Sequence, residues 1–305
     1  MAGLLQVAVP NHLGDAVMAL APLRKLCTEL PHLEIRLVGR RLPSLVLDGQ
    51  GPWEPVSETW RRQAGSSALL LAPSFRVAAH AVWSRARFRI GTPTDWRGFL
   101  LTDVVDASVR THHQRTVFAQ AAEHTVEVLG GTRFSSEAAS EVVPFLTDPA
   151  GKDWWDAIGR PEVLLHPWAA GSAMKRWPME RWLALAKGVP SVAVTGGPSG
   201  DDARFAQSLA AALGAPCAAG PSALTPRAWA SLAQAIPRLV LPDTGLAHLA
   251  SEVGARPVVL FGATNPATYA PSAAEVVTAP SMEEVQVDAV LRALGLESKR
   301  EGAAS

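Results

Sequence analysis

Four residues able to do chemistry crowd one turn near the start of the chain: Asn11, His12, Gly14 and Asp15, in NHLGDA. An apolar run precedes the turn and an amphipathic stretch succeeds it, so it reads as a strand-to-helix connection. Such a connection needs one capping residue and at most one glycine. Asp15 has an ordinary explanation, a carboxylate meeting the positive end of a helix dipole. It also fits a general base that takes a proton from an acceptor hydroxyl, with Gly14 letting the acceptor come close to the backbone. Both readings stay open on the residues alone.

A second cluster is PDTGLAHLA, Pro242 to Ala250. A strand should end at Asp243 and a helix begin within a few residues. The amides of Thr244, Gly245 and Leu246 would then point outward, a natural diphosphate site. The competing reading is that Asp243 or Thr244 merely caps the helix. His248, one turn in, is either a ligand contact or a packed histidine. A third cluster places Lys175 and Arg176 after a loop of small residues and before Pro178. Two cations there could neutralise a diphosphate leaving group, although a Lys-Arg pair is commonly a solvated surface. In VTGGPSGDD, Thr195, Gly196 and Gly197 come after a strand and could touch a nucleotide, but neither common glycine-rich nucleotide pattern is present. A simple turn accounts for them equally well.

Residues 76–115 carry Arg76, Arg85, Arg87, Arg89, Arg97, Arg110 and Arg115, with His80, His112 and His113, against Asp95, Asp103 and Asp106. Arginine forks suit phosphates and carboxylates, so an anionic acceptor fits; solvated faces and structural ion pairs explain many of them as well. Arg76 is the functional choice, because APSFR sets it just after a strand. Asn11, His12, Gly14 and Arg76 are thus the candidate acceptor contacts. No metal-ligand spacing and no G-x-S-x-G nucleophile turn occurs, so neither a metal site nor a cofactor is expected.

The elements that must position these groups are an alternating series. LLQVAV (4–9), LEIRLV (33–38) and SALLLA (67–72) read as buried strands, with helices at about 14–29, 74–84 and 114–129, the last stopping at Gly130–Gly131. A second series has strands in 162–167, 191–196, 238–243 and 257–262, with helices at about 178–187, 200–213, 225–235 and 245–253. Alternation of this kind predicts an α/β chain of two Rossmann-like, doubly wound parallel-sheet domains. The expected divisions are 1–155, 156–296 and a frayed polar tail, 297–305. Ligands of such proteins bind at the C-terminal ends of the strands, where all four clusters fall, so they are expected to face one cleft. Trp177 and Trp182 are expected in core or interdomain packing.

Composition bounds the rest. Of 305 residues, 48% are hydrophobic, enough for substantial cores, and Lys plus Arg equals Asp plus Glu at 28 each, which argues against a nucleic-acid partner. Cys27 and Cys217 form no metal or redox pair, and a reducing compartment is the simpler reading. No signal peptide and no run near ~18 apolar residues is seen, so a cytoplasmic protein is expected, with peripheral attachment to a membrane left open.

Taken in order, PNHLGDAVMALAPLRKL, APSFR with RIGTPTDWRGFLLTD, KRWPMERW and DTGLAHLASEVGARPVVLFGATNP resemble the bacterial lipopolysaccharide heptosyltransferases of glycosyltransferase family nine. The likeness spans about residues 5 to 270, and the opening segment is most similar to the heptosyltransferase II branch. It implies a GT-B architecture, with an acceptor-binding N-terminal domain and a donor-binding C-terminal one. It also implies an inverting, metal-independent transfer of heptose from ADP-heptose to the lipopolysaccharide inner core; peripheral contact at the inner face of the cytoplasmic membrane stays an open expectation. By motif position Asp15 is then the catalytic base, Lys175 the stabiliser of the donor phosphates, and Asp243, Thr244, Gly245 and His248 the donor site. Three features depart from the family pattern: His12 where an aromatic residue is usual, HPWAAGSAMKRWP in place of an H-P-G-A start, and Asn265 where Asp is frequent. Another nucleotide sugar or acceptor, a sugar-nucleotide epimerase and a catalytically silent nucleotide-sugar-binding protein are the alternatives; a dinucleotide oxidoreductase lacks its glycine fingerprint.

Overall fold

The computed structural model describes residues 3–106, 112–132, 134, 145–169, 173–262 and 264–296. The expected frayed tail, Arg110 and part of the small-residue loop before Lys175 lie outside them. Apolar runs without polar alternation suit strands buried on both faces, and the chain builds two parallel sheets from them, one in each of two units, Met1–Leu146 and Thr147–Ser305.

The first unit runs β1 (Gly3–Ala8), α1 (Leu13–Met18), α2 (Leu20–Glu29), β2 (Leu33–Val38), α3 (Arg41–Leu47), β3 (Ser67–Leu70), α4 (Phe75–Trp83), β4 (Phe88–Gly91), β5 (Asp103–Val104) and α5 (Gln114–Val128). Its sheet order is β2-β1-β3-β4-β5, with Leu5 beside Ile35 on one side and Ser67 on the other. Leu5, Val7, Leu23, Leu26, Leu69, Ile90 and Phe118 share its main core. The single helix expected over 14–29 is two. Pro22 has no N–H to give the Met18 carbonyl and its ring crowds that turn, so the helix breaks at Ala19. At the far end α5 stops as expected at Gly130, whose φ of 77° is left-handed.

The second unit runs α6 (Ala150–Ala157), β6 (Val163–Leu165), α7 (Met179–Lys187), β7 (Val192–Thr195), α8 (Gly200–Leu213), β8 (Cys217–Ala218), α9 (Pro226–Ala235), β9 (Arg238–Pro242), α10 (Gly245–Glu252), β10 (Val258–Phe261), α11 (Pro266–Tyr269), β11 (Glu275–Thr278) and α12 (Val287–Ala293). Its sheet order is β11-β10-β9-β6-β7-β8. Trp177 and Trp182 meet edge to face at 5.0 Å in its core, and Trp177 Nε1 donates to the Val285 carbonyl at 3.1 Å.

The units divide earlier than residue 155, the expected boundary, which would cut through α6. The cause is packing. A Cβ on Gly151 would lie 1.7 Å from the Ala228 carbonyl oxygen of α9, so the glycine seats α6 directly on that backbone. Ser231 then bridges the helices, donating to the Asp148 carbonyl at 2.5 Å and accepting from the Lys152 amide at 3.2 Å. Both cysteines are free thiols, and burial pushes Cys27 up to about 11.

Candidate functional site

In the second unit the chain starts at β6, builds outward through β7 and β8, and returns to build the other way through β9, β10 and β11. The reversal falls between β6 and β9, where doubly wound sheets leave a crevice beyond the strand ends. Lys175 comes after β6 and Asp243 after β9, and the two meet there: Nζ lies 2.6 Å from Oδ2. The Asp243 side chain is 6% exposed and that of Lys175 27%, so a buried carboxylate holds a cation that still faces solvent. Thr264 also donates to Asp243 Oδ2, at 2.8 Å. An ammonium has three donors; Asp243 takes one through Oδ2 and a longer one through its carbonyl at 3.5 Å, which fixes Lys175 and leaves an N–H for an incoming anion.

Thr244 takes the N-cap position of α10 in extended backbone, but its side chain makes no capping hydrogen bond. The capping reading of Asp243 and Thr244 therefore fails. Asp243 is committed to Lys175 and Thr264, and Thr244 Oγ1 is buried without a hydrogen-bond partner among the described residues. The opening amides at Gly245 and Leu246 lack intrahelical acceptors by position. Beside them, His248 is buried within α10. Asn265, the family departure, accepts from the Ala267 amide at 3.0 Å and caps α11, a role open to Asn and Asp alike.

Thr195, Gly196 and Gly197 do something else. Thr195 is buried, its hydroxyl 3.1 Å from His166 Nδ1 and accepting from Trp229 Nε1 at 3.2 Å. It shapes the turn instead of presenting a hydroxyl to a ligand. A Cβ on Gly197 would come 2.4 Å from Asp202 Oδ2, and one on Gly196 2.5 Å from the Ala206 methyl, so these glycines make room for α8. Burial draws the His166 ring below its ordinary range, with Asp202 and then Thr195 partly opposing. Arg176 lies over the Trp168 ring at 3.7 Å, a cation–π contact rather than a solvated position.

In the first unit the order reverses between β1 and β3, and a cavity of about 580 Å³ opens there. Asn11 comes after β1, Arg40 after β2, and Arg76 lies just after β3; Glu58, Trp60, His80 and Trp83 complete the polar and aromatic wall. Two expected contacts, Asn11 and Arg76, are thus brought together. His12, Gly14 and Asp15 are not on this wall: His12 is the exposed N-cap residue of α1, and Gly14 and Asp15 lie half-buried in its first turn. Sequence reasoning missed Arg40, Glu58, Trp60 and Trp83, and counted His80 only as part of the basic segment. Gln6, buried at the centre of β1, holds the loop beside this wall by exchanging two bonds with the Arg61 backbone, at 2.9 and 2.7 Å.

The basic segment divides by burial. Arg97 is fully buried and donates to the carbonyls of Leu70, Ala72 and Thr92, while Arg89 donates to those of Ala86 and Leu100; both hold the fold. Arg76 and Arg85 are exposed. Among the described residues, no group of three or more His, Cys, Asp or Glu is placed to hold a metal, and no helix is long and apolar enough to cross a membrane.

Residues 57–290 match the family described as Glycosyltransferase family 9 (heptosyltransferase). No curated protein sequence matches the chain. Among solved structures it is similar to E. coli ADP-heptose lps heptosyltransferase II, with a TM-score of 0.73, 19% identity and 98% and 99% of the two chains covered. A glycosyl transferase of family 9 from Veillonella parvula gives 0.71 and 18%, covering 91% of this chain and 86% of that one. E. coli heptosyltransferase WaaC with ADP gives 0.68 and 14%, covering 95% and 98%. With its family match over most of the chain and two parallel-sheet α/β units built as in those structures, this chain belongs to glycosyltransferase family 9 and is a transferase of the GT-B fold.

Proposed function

We propose that the protein transfers a heptose from ADP-heptose to the inner core of lipopolysaccharide, with inversion and without a metal ion. The observation that carries this reading is the Lys175–Asp243 pair at the strand reversal, beside the uncapped start of α10. A fixed ammonium and the amides of residues 244–246 offer positive charge where a departing diphosphate becomes more negative, the field that a metal ion supplies in other transferases. Asp243 acts by orienting Lys175, and Thr244 Oγ1 is a spare polar group at the same place.

Inversion requires the acceptor oxygen to attack the anomeric carbon from the side opposite ADP. The C–O bond to the acceptor forms as the bond to the diphosphate breaks, and Asp15 takes the hydroxyl proton. The first unit's cavity fits an anionic saccharide, since Arg40 and Arg76 supply forks and Trp60 and Trp83 supply ring faces.

Calorimetric titration of ADP, UDP, GDP and NADH without added metal tests the donor. Selective ADP binding is expected; preference for UDP or GDP would keep the fold and change the donor, and no binding would point to a silent protein. Asp15→Asn should abolish transfer and leave ADP binding nearly unchanged, and full activity in that variant would remove Asp15 from the mechanism.

A further inference from the structure

One face of the first unit exposes large apolar side chains. Trp96 is 91% exposed and Phe99 75%, with Trp83, Phe75 and Val82 also exposed. They come from α4 and the turn after β4, and the two segments touch: the rings of Phe75 and Phe99 are 6.0 Å apart. Scattered exposed apolar residues need no explanation, but five over a nine-residue helix of roughly 13 Å and its neighbouring turn form a patch.

The turn is built to push Trp96 outward. Arg97 is fully buried and binds the carbonyls of Leu70, Ala72 and Thr92, which staples the turn to the end of β3. Thr94 adds a bond to the Pro73 carbonyl at 3.3 Å. With Arg97 pinned inside, the two residues before it take left-handed backbone, φ 51° at Asp95 and 57° at Trp96, an unfavourable region for a bulky side chain. Exposed arginines border the patch: Arg76 beside Phe75, Arg85 just past α4, and Arg62 over the Trp83 ring at 6.0 Å. Across 73–100 the one acidic residue is Asp95.

We propose that this face docks on the surface of an anionic phospholipid bilayer, with Trp96, Phe99 and Phe75 entering the headgroup boundary and Arg62, Arg76 and Arg85 meeting lipid phosphates. Projecting indole and phenyl rings bordered by arginine match interfacial lipid chemistry. Helix α4 also lines the first unit's cavity through Arg76, His80 and Trp83. Docking would therefore hold that cavity at the lipid surface, where a lipid-borne saccharide is found; this last point rests on the proposed acceptor, and the docking itself does not.

The test is co-sedimentation of the full chain with vesicles of phosphatidylglycerol mixed into phosphatidylcholine, against phosphatidylcholine alone. Binding to the mixed vesicles is expected, weakened by salt, and weakened by about fivefold for each of Arg62→Gln and Arg85→Gln. Trp96→Ser with Phe99→Ser should lower it at least about tenfold. The replaced side chains are exposed, so ADP titration and thermal melting should not move. Absence of binding to mixed vesicles, or a Trp96/Phe99 double variant that binds like the parent, would overturn the proposal. Because vesicle binding needs no donor and ADP binding needs no vesicle, failure of this inference is distinguishable from failure of the transferase reading.

Discussion

Replacing Lys175 by Met strands the Asp243 carboxylate. In the folded protein that group is 6% exposed and, among the described residues, would keep the Thr264 hydroxyl at 2.8 Å from its Oδ2. Breaking a fully buried pair costs about 3–5 kcal/mol, and exposed pairs are worth about 0–1. With one partner 27% exposed, about 2 kcal/mol is expected here, or roughly 4–8 °C in Tm by the size scaling for domains of about 150–250 residues. Asp243→Asn alone should cost less, about 1 kcal/mol, because the Lys175 ammonium can hydrate where it stands. The double variant removes the stranded charge and should be more stable than Lys175→Met alone. The coupling in that cycle should reach about 1.5 kcal/mol.

Thermal and urea unfolding without ligand measure the cycle, and ADP titration of the same proteins gives the functional side. Lys175→Met should weaken ADP by at least about tenfold, the loss of one charge-assisted bond. Asp243→Asn should weaken it by about threefold to tenfold, since the ammonium remains but is no longer aimed. Coupling within about 0.5 kcal/mol of zero would refute the argument that Asp243 organises Lys175. Asp243 would then have to be explained as a direct ligand contact.

Gly151→Ala should destabilise the second unit by about 3 kcal/mol, because its methyl would meet the Ala228 carbonyl and force α6 off α9; an unchanged melting temperature would contradict that packing. His166 binds its proton less readily folded than unfolded, so the stability it contributes is complete above the ordinary value of 6.5 and is lost as pH falls below it. The slope is about 1.4 kcal/mol per pH unit while only the unfolded state is protonated. His166→Gln should flatten the acid limb of the unfolding free energy by that amount, and an unchanged slope would show that the ring is protonated in the fold.

Strands such as Val258–Phe261 were legible because continuous apolar runs have few other uses, and the helix over Pro226–Ala235 because Thr225 caps it and Pro226 opens it. The edge strands Asp103–Val104 and Cys217–Ala218 were not, since two residues carry no period to read. In the cavity, Asn11 and Arg76 could be found from the polar residues just beyond a strand's C-terminal end, and the same test applied to Leu33–Val38 would have found Arg40. His80 and Trp83 follow Arg76 at i+4 and i+7 on α4, a helical spacing that would have found them, whereas Trp60 reaches the cavity from a separate connection that no spacing encodes. Asp243 was ambiguous because a cap and an ion-pair anchor use the same residue type, and the groups that separate the two readings, Lys175 and Thr264, lie far from it in sequence.

The arginines of 76–115 carry this furthest. In sequence Arg76 and Arg97 are equal charges, yet one lies exposed on the cavity wall and the other is fully buried with its donors spent on carbonyls. Burial still leaves Arg97 charged near neutral pH, since desolvation lowers it only to about 10 with Asp95 opposing. A charge inside is thus what sets Trp96 outside. The segment's composition suggested an anion-binding surface or structural ion pairs equally, and its shape depends on a buried arginine whose donors are spent on carbonyls.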